Sequence, residues 1–364
     1  MRRRGLIFLL ILSQLFLLQI FTRAQKKSIT SENSSAKFRE RLLPSPLNGG
    51  FKMDGYWIWG ASVIKGDDGH YYMFASRWPH QLKFGPHWLT NSEIVLAVSD
   101  NPEGPYKFKK VVLPPRGEKY WDGKMTHNPD IKKYKDIYLM FYTGTTYPGK
   151  IPTPEHQASD TSALVTYAHY HERIGLAISK SLLGPWKRFN KPILNVRKGK
   201  WDSLIVSNAS PVILSDGKVM LFYKGVSKLR HHAISVAVAD NYLGPYKRIS
   251  DKPFDMGVDA EDPTIWFEDG KYYALMLDTG RKYSNKEIYF AASDDLLHWK
   301  VDSNPVVITK NILWDDGKIR KMNSTERPKI LLENGKAAYV FLATGNTVNG
   351  IRYTWNMVIP LERN

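Results

Sequence analysis

From Asp54 onward the chain is built of short apolar runs of strand length, separated by turns rich in Gly, Asp and Asn. One unit, a strand, a tight turn and an aromatic strand, occurs five times. It reads ASVIKGDDGHYYMFAS from Ala61, NPDIKKYKDIYLMFYT from Asn128, ASPVILSDGKVMLFYKG from Ala209, EDPTIWFEDGKYYALMLD from Glu261 and ERPKILLENGKAAYVFLA from Glu326. Turns such as Asp216-Gly217, Asp269-Gly270 and Asn334-Gly335 are hairpin signals. A second strand-turn-strand unit follows in four copies: EIVLAVSDNPEGPYKF, RIGLAISKSLLGPWKRF, AISVAVADNYLGPYKRI and EIYFAASDDLLHWKV.

Each pair of units predicts a four-stranded antiparallel sheet, and five such sheets set radially form a β-propeller. The alternative, a β-sandwich with accidental likeness between strands, does not explain two repeat types in constant order. The expected fold is therefore all-β, a five-bladed propeller of four-stranded antiparallel blades, without long helices. The fifth copy is short and ends with IRYTWNMVIP from Ile351. A segment within Leu42 to Tyr56 is expected to supply its missing strand and close the ring, because an open edge invites aggregation.

Composition changes the picture in three ways. An apolar content of 43% in 364 residues is enough for a large core and excludes a disordered chain. The absence of cysteine excludes a disulfide scaffold and thiolate metal sites. The net charge of +17 points to an anionic substrate or surface, or simply to solubility. No nucleic-acid-binding signature accompanies it. Residues 1–24 have the layout of a secretory signal peptide: Arg2 to Arg4, an apolar run from Leu6 to Ile20, and Thr22-Arg23-Ala24 before the cleavage point. The expected product is a periplasmic or secreted monomer of residues 25–364, a single catalytic propeller with net charge +13 and no membrane span.

Innermost propeller strands line a central channel, so the residues that begin each copy converge on one concave point. These are Trp59-Gly60-Ala61, His127-Asn128-Pro129, Asn208-Ala209-Ser210, Glu261-Asp262-Pro263 and Glu326-Arg327-Pro328. Four of the five carry polar or ionisable side chains where a structural repeat needs only a strand former. The loop RWPHQLKFGPHW, with His80 and His87, and the insertion from Thr145 to His169 are expected to wall the site. His169 and His171 are read as strand residues facing one side, and His231 and His232 as a surface hairpin. Trp57, Trp59, Trp78 and Trp88 are candidates for stacking on sugar rings. The pairs Trp121-Asp122, Trp201-Asp202 and Trp314-Asp315 are read as braces where blades begin. No ligand cluster demands a metal, and no cofactor is expected.

A polar-x-Pro strand start followed by an aromatic hairpin, five times over, resembles the five-bladed propeller glycoside hydrolases of family 43 and its relatives, families 32, 62, 68 and 117. The resemblance implies three carboxylates: a base or nucleophile opening blade one, an aspartate on blade two that tunes pKa values, and an acid on blade three. Here Gly60, Asn128 and Asn208 stand at those positions. Acids occur instead on blades four and five, as Glu261, Asp262 and Glu326. Family 117 uses a histidine as acid, which leaves a role for His127.

Hydrolysis of a glycoside needs two carboxylates flanking the bond. Elimination at a uronic acid needs groups that hold the sugar carboxylate, a base, and an acid for the leaving oxygen. The missing first-blade aspartate and the arginines favour elimination on anionic, uronate-bearing oligosaccharides. In that reading His127, helped by a tyrosine, takes the proton, Arg327 and Arg77 hold the carboxylate, and Glu261 or Glu326 protonates the leaving oxygen. Asn128, Asn208, Asp54, Trp59 and His87 complete the expected substrate contacts. The first alternative is hydrolysis, with Asp54 or Asp262 as base and Glu261, Glu326 or His127 as acid. The second is a non-catalytic glycan-binding propeller.

Overall fold

The computed structural model describes residues 34–228, 232–280 and 286–363. The expected signal peptide and His231 lie outside them. Blade one is β1 (Tyr56–Lys65), β2 (Tyr71–Pro79), β3 (Glu93–Ser99) and β4 (Lys107–Leu113), paired in that order and antiparallel throughout. Blade two is β5 (Met125–Tyr134), β6 (Ile137–Thr145), β7 (Arg173–Ser179) and β8 (Lys187–Arg188). Blade three is β9 (Ile205–Ile213), β10 (Val219–Val226), β11 (His232–Ala239) and β12 (Lys247–Arg248). Blade four is β13 (Ala260–Glu268), β14 (Lys271–Asp278), β15 (Ile288–Ser293) and β16 (Trp299–Lys300), with β17 (Val306–Ile308) also paired to β15. A small hairpin, β18 (Asn311–Leu313) with β19 (Ile319–Lys321), leads to blade five, which is β20 (Ser324–Glu333), β21 (Lys336–Val348) and β22 (Ile351–Pro360).

The fold is the five-bladed propeller that the repeats predict. Inner strands touch in the cycle β1, β5, β9, β13, β20 and back to β1. Closure comes from the N-terminal segment, as expected. Phe51 and Asn356 exchange backbone hydrogen bonds of 2.8 and 3.1 Å, and the Leu43 amide donates to the Pro360 carbonyl at 2.9 Å, so this segment runs along the free edge of β22. The short helix α1 (Ser34–Glu40) lies on blade four, where Phe38 packs against Trp266 and Phe290.

A blade between two others buries both faces, which explains why β2, β6 and β10 are almost continuously apolar. One hydrophobic cluster fills each interface between neighbouring blades, for example Phe74 and Met140 between one and two, and Leu221 and Phe141 between two and three. Two loops at the channel mouth contain short helices that the sequence reading missed. These are α2 (Phe84–Asn91), between β2 and β3, and α3 (Ala163–Tyr170), between β6 and β7. His169 and its neighbour His171 are thus at the end of a helix, not on a strand. Ser162 caps α3 by accepting from the Val165 amide.

Candidate active site

The polar positions expected at the start of each inner strand sit several residues inside it, at a β-bulge. Register breaks there in all five blades. The bulged residue has a left-handed backbone in each: Gly60 (φ 48°), Asn128 (53°), Asn208 (56°), Asp262 (56°) and Arg327 (58°). Bulges re-aim side chains next to active sites. Left-handed backbone is ordinary for Gly, Asn and Asp but unusual for Arg. Hydroxyls of the preceding blade hold two bulges, Ser76 accepting from the Asn128 amide (2.9 Å) and Thr143 from the Asn208 amide (3.1 Å).

Side chains of these residues form a buried hydrogen-bonded chain. Asn128 Nδ2 donates to Asn208 Oδ1 (2.9 Å), Asn208 Nδ2 donates to Asp262 Oδ1 (2.6 Å), and Arg327 Nη1 pairs with the same Asp262 oxygen. The chain breaks at Gly60. Asn128 Oδ1 and Arg327 Nε are both buried without a partner, and a Cβ on Gly60 would lie 2.7 Å from the first and 3.4 Å from the second. The place of the first-blade aspartate of family 43 is therefore filled by neighbours.

One residue earlier on each inner strand stands a second set: Trp59, His127, Ser207, Glu261 and Glu326. Residues that lead into third strands face several of them from the preceding blade. Ser92 Oγ bonds His127 Nδ1 at 2.8 Å, and His232 Nδ1 lies 3.3 Å from Glu261 Oε2. Lys286 acts electrostatically on Glu326. Glu172, at the same place in blade two, is buried, holds His169 Nδ1 at 2.6 Å and acts on the buried Lys224. Lys224 Nζ in turn lies 2.5 Å from Glu261 Oε1. Deeper in the channel Lys329 Nζ pairs with Asp130 Oδ2 (2.5 Å), with Lys132 on the other oxygen at 3.2 Å.

These surroundings drive the acids apart. Burial, then Asp262 and Glu261, push the Glu326 carboxyl up to about 7, against Lys286 and Arg352. Burial also acts to raise Glu261, but Lys224 and His232 overcome it and hold that carboxyl well below the usual range. Burial raises Asp262, which Arg327 only partly offsets. Burial, Arg327 and Lys224 hold His127 neutral, far below the ordinary histidine value, so it is a poor proton acceptor. The Glu261 side chain is 19% exposed against 3% for Asp262, so Glu261 is the accessible one of the two.

The structure thus gathers His127, Glu261, Glu326, Asp262, Arg327, Asn128, Asn208 and Trp59. It leaves three expected residues elsewhere. Arg77 gives Nε and Nη2 to Glu93 Oε1 (3.0 and 2.8 Å) and lies between the rings of Tyr56 and Phe108. Asp54 is exposed on a separate cleft of about 360 Å³ with His80, Tyr353 and Trp355. His87 is buried within α2 with Nδ1 on Thr90 Oγ1 (3.0 Å). Arg327 is ion-paired to Asp262, so it is not an open carboxylate holder. His232 is not a surface hairpin residue but a neighbour of Glu261. Asp122 and Asp202 are structural: each is fully buried, takes a tyrosine hydroxyl (Tyr142, 2.8 Å; Tyr223, 3.0 Å) and pairs with two arginines.

Lys224, Glu172 and Arg352 escaped the sequence reading. Lys224 had a signal, because it ends an apolar strand where the equivalent copies have Ser76 and Thr143. The wall of the site is aromatic. Phe84 of α2 packs on Trp57, Trp59 and Trp78, and Trp88 lies 5.1 Å from His127. A cleft of about 470 Å³ opens beside it, lined by Trp88, Asp160, His169, Tyr170 and His232. Among the described residues no group of three or more His, Asp or Glu is placed to hold a metal ion.

No protein-family model and no curated protein sequence matches the chain. Solved structures do. Zg3597, a family 117 glycoside hydrolase of the marine bacterium Zobellia galactanivorans, superposes with TM-score 0.66 at 15% identity, covering 88% of this chain and 90% of that one. The catalytic domain of the Coprinopsis cinerea family 62 α-L-arabinofuranosidase gives 0.57 at 11%, covering 88% and 96%. An endo-arabinase of Bacteroides thetaiotaomicron gives 0.55 at 13%, covering 87% and 98%. At these identities the likeness establishes the fold, which this chain shares with the five-bladed propeller glycoside hydrolases.

Proposed function

We propose that the protein is a carbohydrate-active enzyme that hydrolyses a glycosidic bond. The observation that carries this reading is the placement of two equivalent carboxyls on adjacent blades in unlike surroundings. Glu261 lies beside Lys224 and His232, which hold it down, and Glu326 is buried near Asp262 and Glu261, which push it up. Two carboxyls driven apart by their surroundings are a general acid and its ionised partner. Glu326 gives its proton to the glycosidic oxygen as that bond breaks. Water adds to the anomeric carbon and releases its proton to solvent, while the ionised Glu261 stabilises the positive charge that develops there. Neutral His127 supplies a hydrogen bond to a sugar hydroxyl, Asn128 and Asn208 keep the floor of the site rigid through their chain to Asp262, and the tryptophan wall supplies a stacking face. That solved structures of the same fold include glycoside hydrolases supports this reading.

Elimination at a uronic acid has less support. Its proposed carboxylate holders, Arg327 and Arg77, are ion-paired, and its proposed base, His127, has a depressed pKa. Incubation with a broad oligosaccharide panel in ¹⁸O-labelled water, followed by mass spectrometry, tests the reading. Products that gain labelled water are expected, with a loss of about 10²–10⁴-fold in turnover for Glu326→Gln. Products that instead carry a new double bond would establish elimination. Binding without conversion of any oligosaccharide would establish a glycan-binding propeller.

A further inference from the structure

Among the described arginines, Arg352 is the one whose side chain donates no hydrogen bond and enters no ion pair. The others are held by carboxylates, amide oxygens or backbone carbonyls, as Arg77 is by Glu93, Arg173 by Asn195 and Arg327 by Asp262. Arg352 stands opposite Thr347 in the long hairpin of β21 and β22. On the same side of β22 is Thr354, whose hydroxyl accepts from the Ile58 amide of blade one. The Arg352 guanidinium lies 4.0 Å above the Phe84 ring, in the aromatic wall that includes Trp59. Its Nε is buried with no partner, while the residue as a whole is half-buried. The carboxyl that acts on it electrostatically is Glu326.

We propose that Arg352 makes this site select sugars that carry an acidic substituent, carboxylate or sulfate, beside the bond that Glu326 protonates. This rests on the hydrolytic reading of the site. A half-buried cation without a counter-ion costs stability unless a ligand supplies one. Contact with the face of Phe84 holds the guanidinium in place, which leaves its remaining N–H groups free for the oxygens of an oxyanion. Glu326 does not serve as that counter-ion while it holds its proton. The net charge of +17 adds a field that draws anionic chains toward the molecule.

The test separates binding from turnover by using Glu326→Gln as the parent. Isothermal titration compares uronate-terminated oligosaccharides with their carboxyl methyl esters, and sulfated neutral oligosaccharides with their unsulfated forms. The parent is expected to prefer the acidic member of at least one pair by about tenfold, the size of one charge-assisted hydrogen bond. Adding Arg352→Gln should erase that preference and leave binding of the neutral member unchanged. Arg352→Lys, which keeps the charge but not the fork, should retain only part of it and serves if the glutamine variant does not fold. The pair that shows the preference identifies the substituent. Equal affinity within both pairs, no binding of any acidic sugar, or a preference that survives Arg352→Gln would overturn the proposal. If turnover persists in Glu326→Gln while the preference holds, the hydrolytic assignment fails and the anion site stands. In the enzyme with Glu326 intact, Arg352→Gln should also move the alkaline limb of the pH–activity profile upward. That change removes a cation which, with Lys286, opposes the push of Asp262 and Glu261 on Glu326.

Discussion

Gly60 occupies the position at which the family resemblance led us to expect a carboxylate, and its surroundings explain why none is there. With φ at 48° and Asn128 Oδ1 2.7 Å from any Cβ, the position admits no side chain unless the backbone is strained and the Asn128 amide moves aside. Gly60→Ala is expected to cost about 1–2 kcal/mol from the left-handed backbone alone. Chemical denaturation should show that loss while circular dichroism stays unchanged. Glu326 carries the second prediction at this scale. Its folded pKa of about 7 lies above the ordinary 4.5, so protonated Glu326 stabilises the native state. That contribution is fully present below 4.5 and is lost as pH rises through about 7. Activity should fall over the same upper range as the acid loses its proton. A profile that stays flat from about pH 6 to 8 would contradict the role of Glu326, and Glu326→Gln should remove the stability trend. The sequence showed Glu261, Asp262, Glu326, His127 and Arg327 as candidates because they recur at one place in the repeat. It did not show their pairing, because Arg327 meets Asp262 only where the inner strands of blades four and five pack side by side.

Elements are joined to one another by a repeated device. Trp121 stacks on Tyr142 and Trp201 on Tyr223, at 5.9 and 5.7 Å, while the following aspartate takes the tyrosine hydroxyl and two arginines. The brace thus ties the connection before an inner strand to the second and fourth strands of the same blade. Trp314-Asp315 looks alike in sequence but differs. Asp315 is exposed and accepts from the Leu47 amide at 3.3 Å, so it ties down the closing segment instead. Asp122→Asn leaves Arg116 and Arg188 without their counter-ion and should destabilise the protein by about 3 kcal/mol. Asp315→Asn, as the control, should cost well under about 1 kcal/mol, within the usual range for surface substitutions. Equal effects in urea titrations would remove the distinction. Strands were legible because both of their faces are buried and their turns carry Asp-Gly or Asn-Gly. Helices α2 and α3 were not. Each has only eight residues, and α2 carries a glycine and a proline in its first turn, too little for a helical period to stand out.

At the scale of the molecule, five blades fold into one ring only if the ends of the chain meet. The meeting place is the free edge of β22, where the N-terminal segment adds the backbone pairs of Leu43 and Phe51. Ser45 strengthens it, its buried hydroxyl donating to the Val358 carbonyl at 2.7 Å, and its amide donating to the Leu313 carbonyl at 2.9 Å. Phe51 itself enters the core between blades five and one, beside Phe341 and Val358. This closure bears on the site as well. Arg327, Glu326 and Arg352 all belong to blade five, whereas Gly60, Trp59 and Phe84 belong to blade one and its loop. The geometry that sets Arg352 over Phe84 therefore depends on the same seam. A chain beginning at Met53 lacks the closing strand and α1, leaving an unpaired edge and an uncovered face on blade four. It is expected to melt about 10 °C or more below the longer chain and to aggregate on heating. Turnover should be lost before the fold is, as blades one and five part at the site. Equal melting temperatures for the two chains would mean that the inner strands close the ring by themselves.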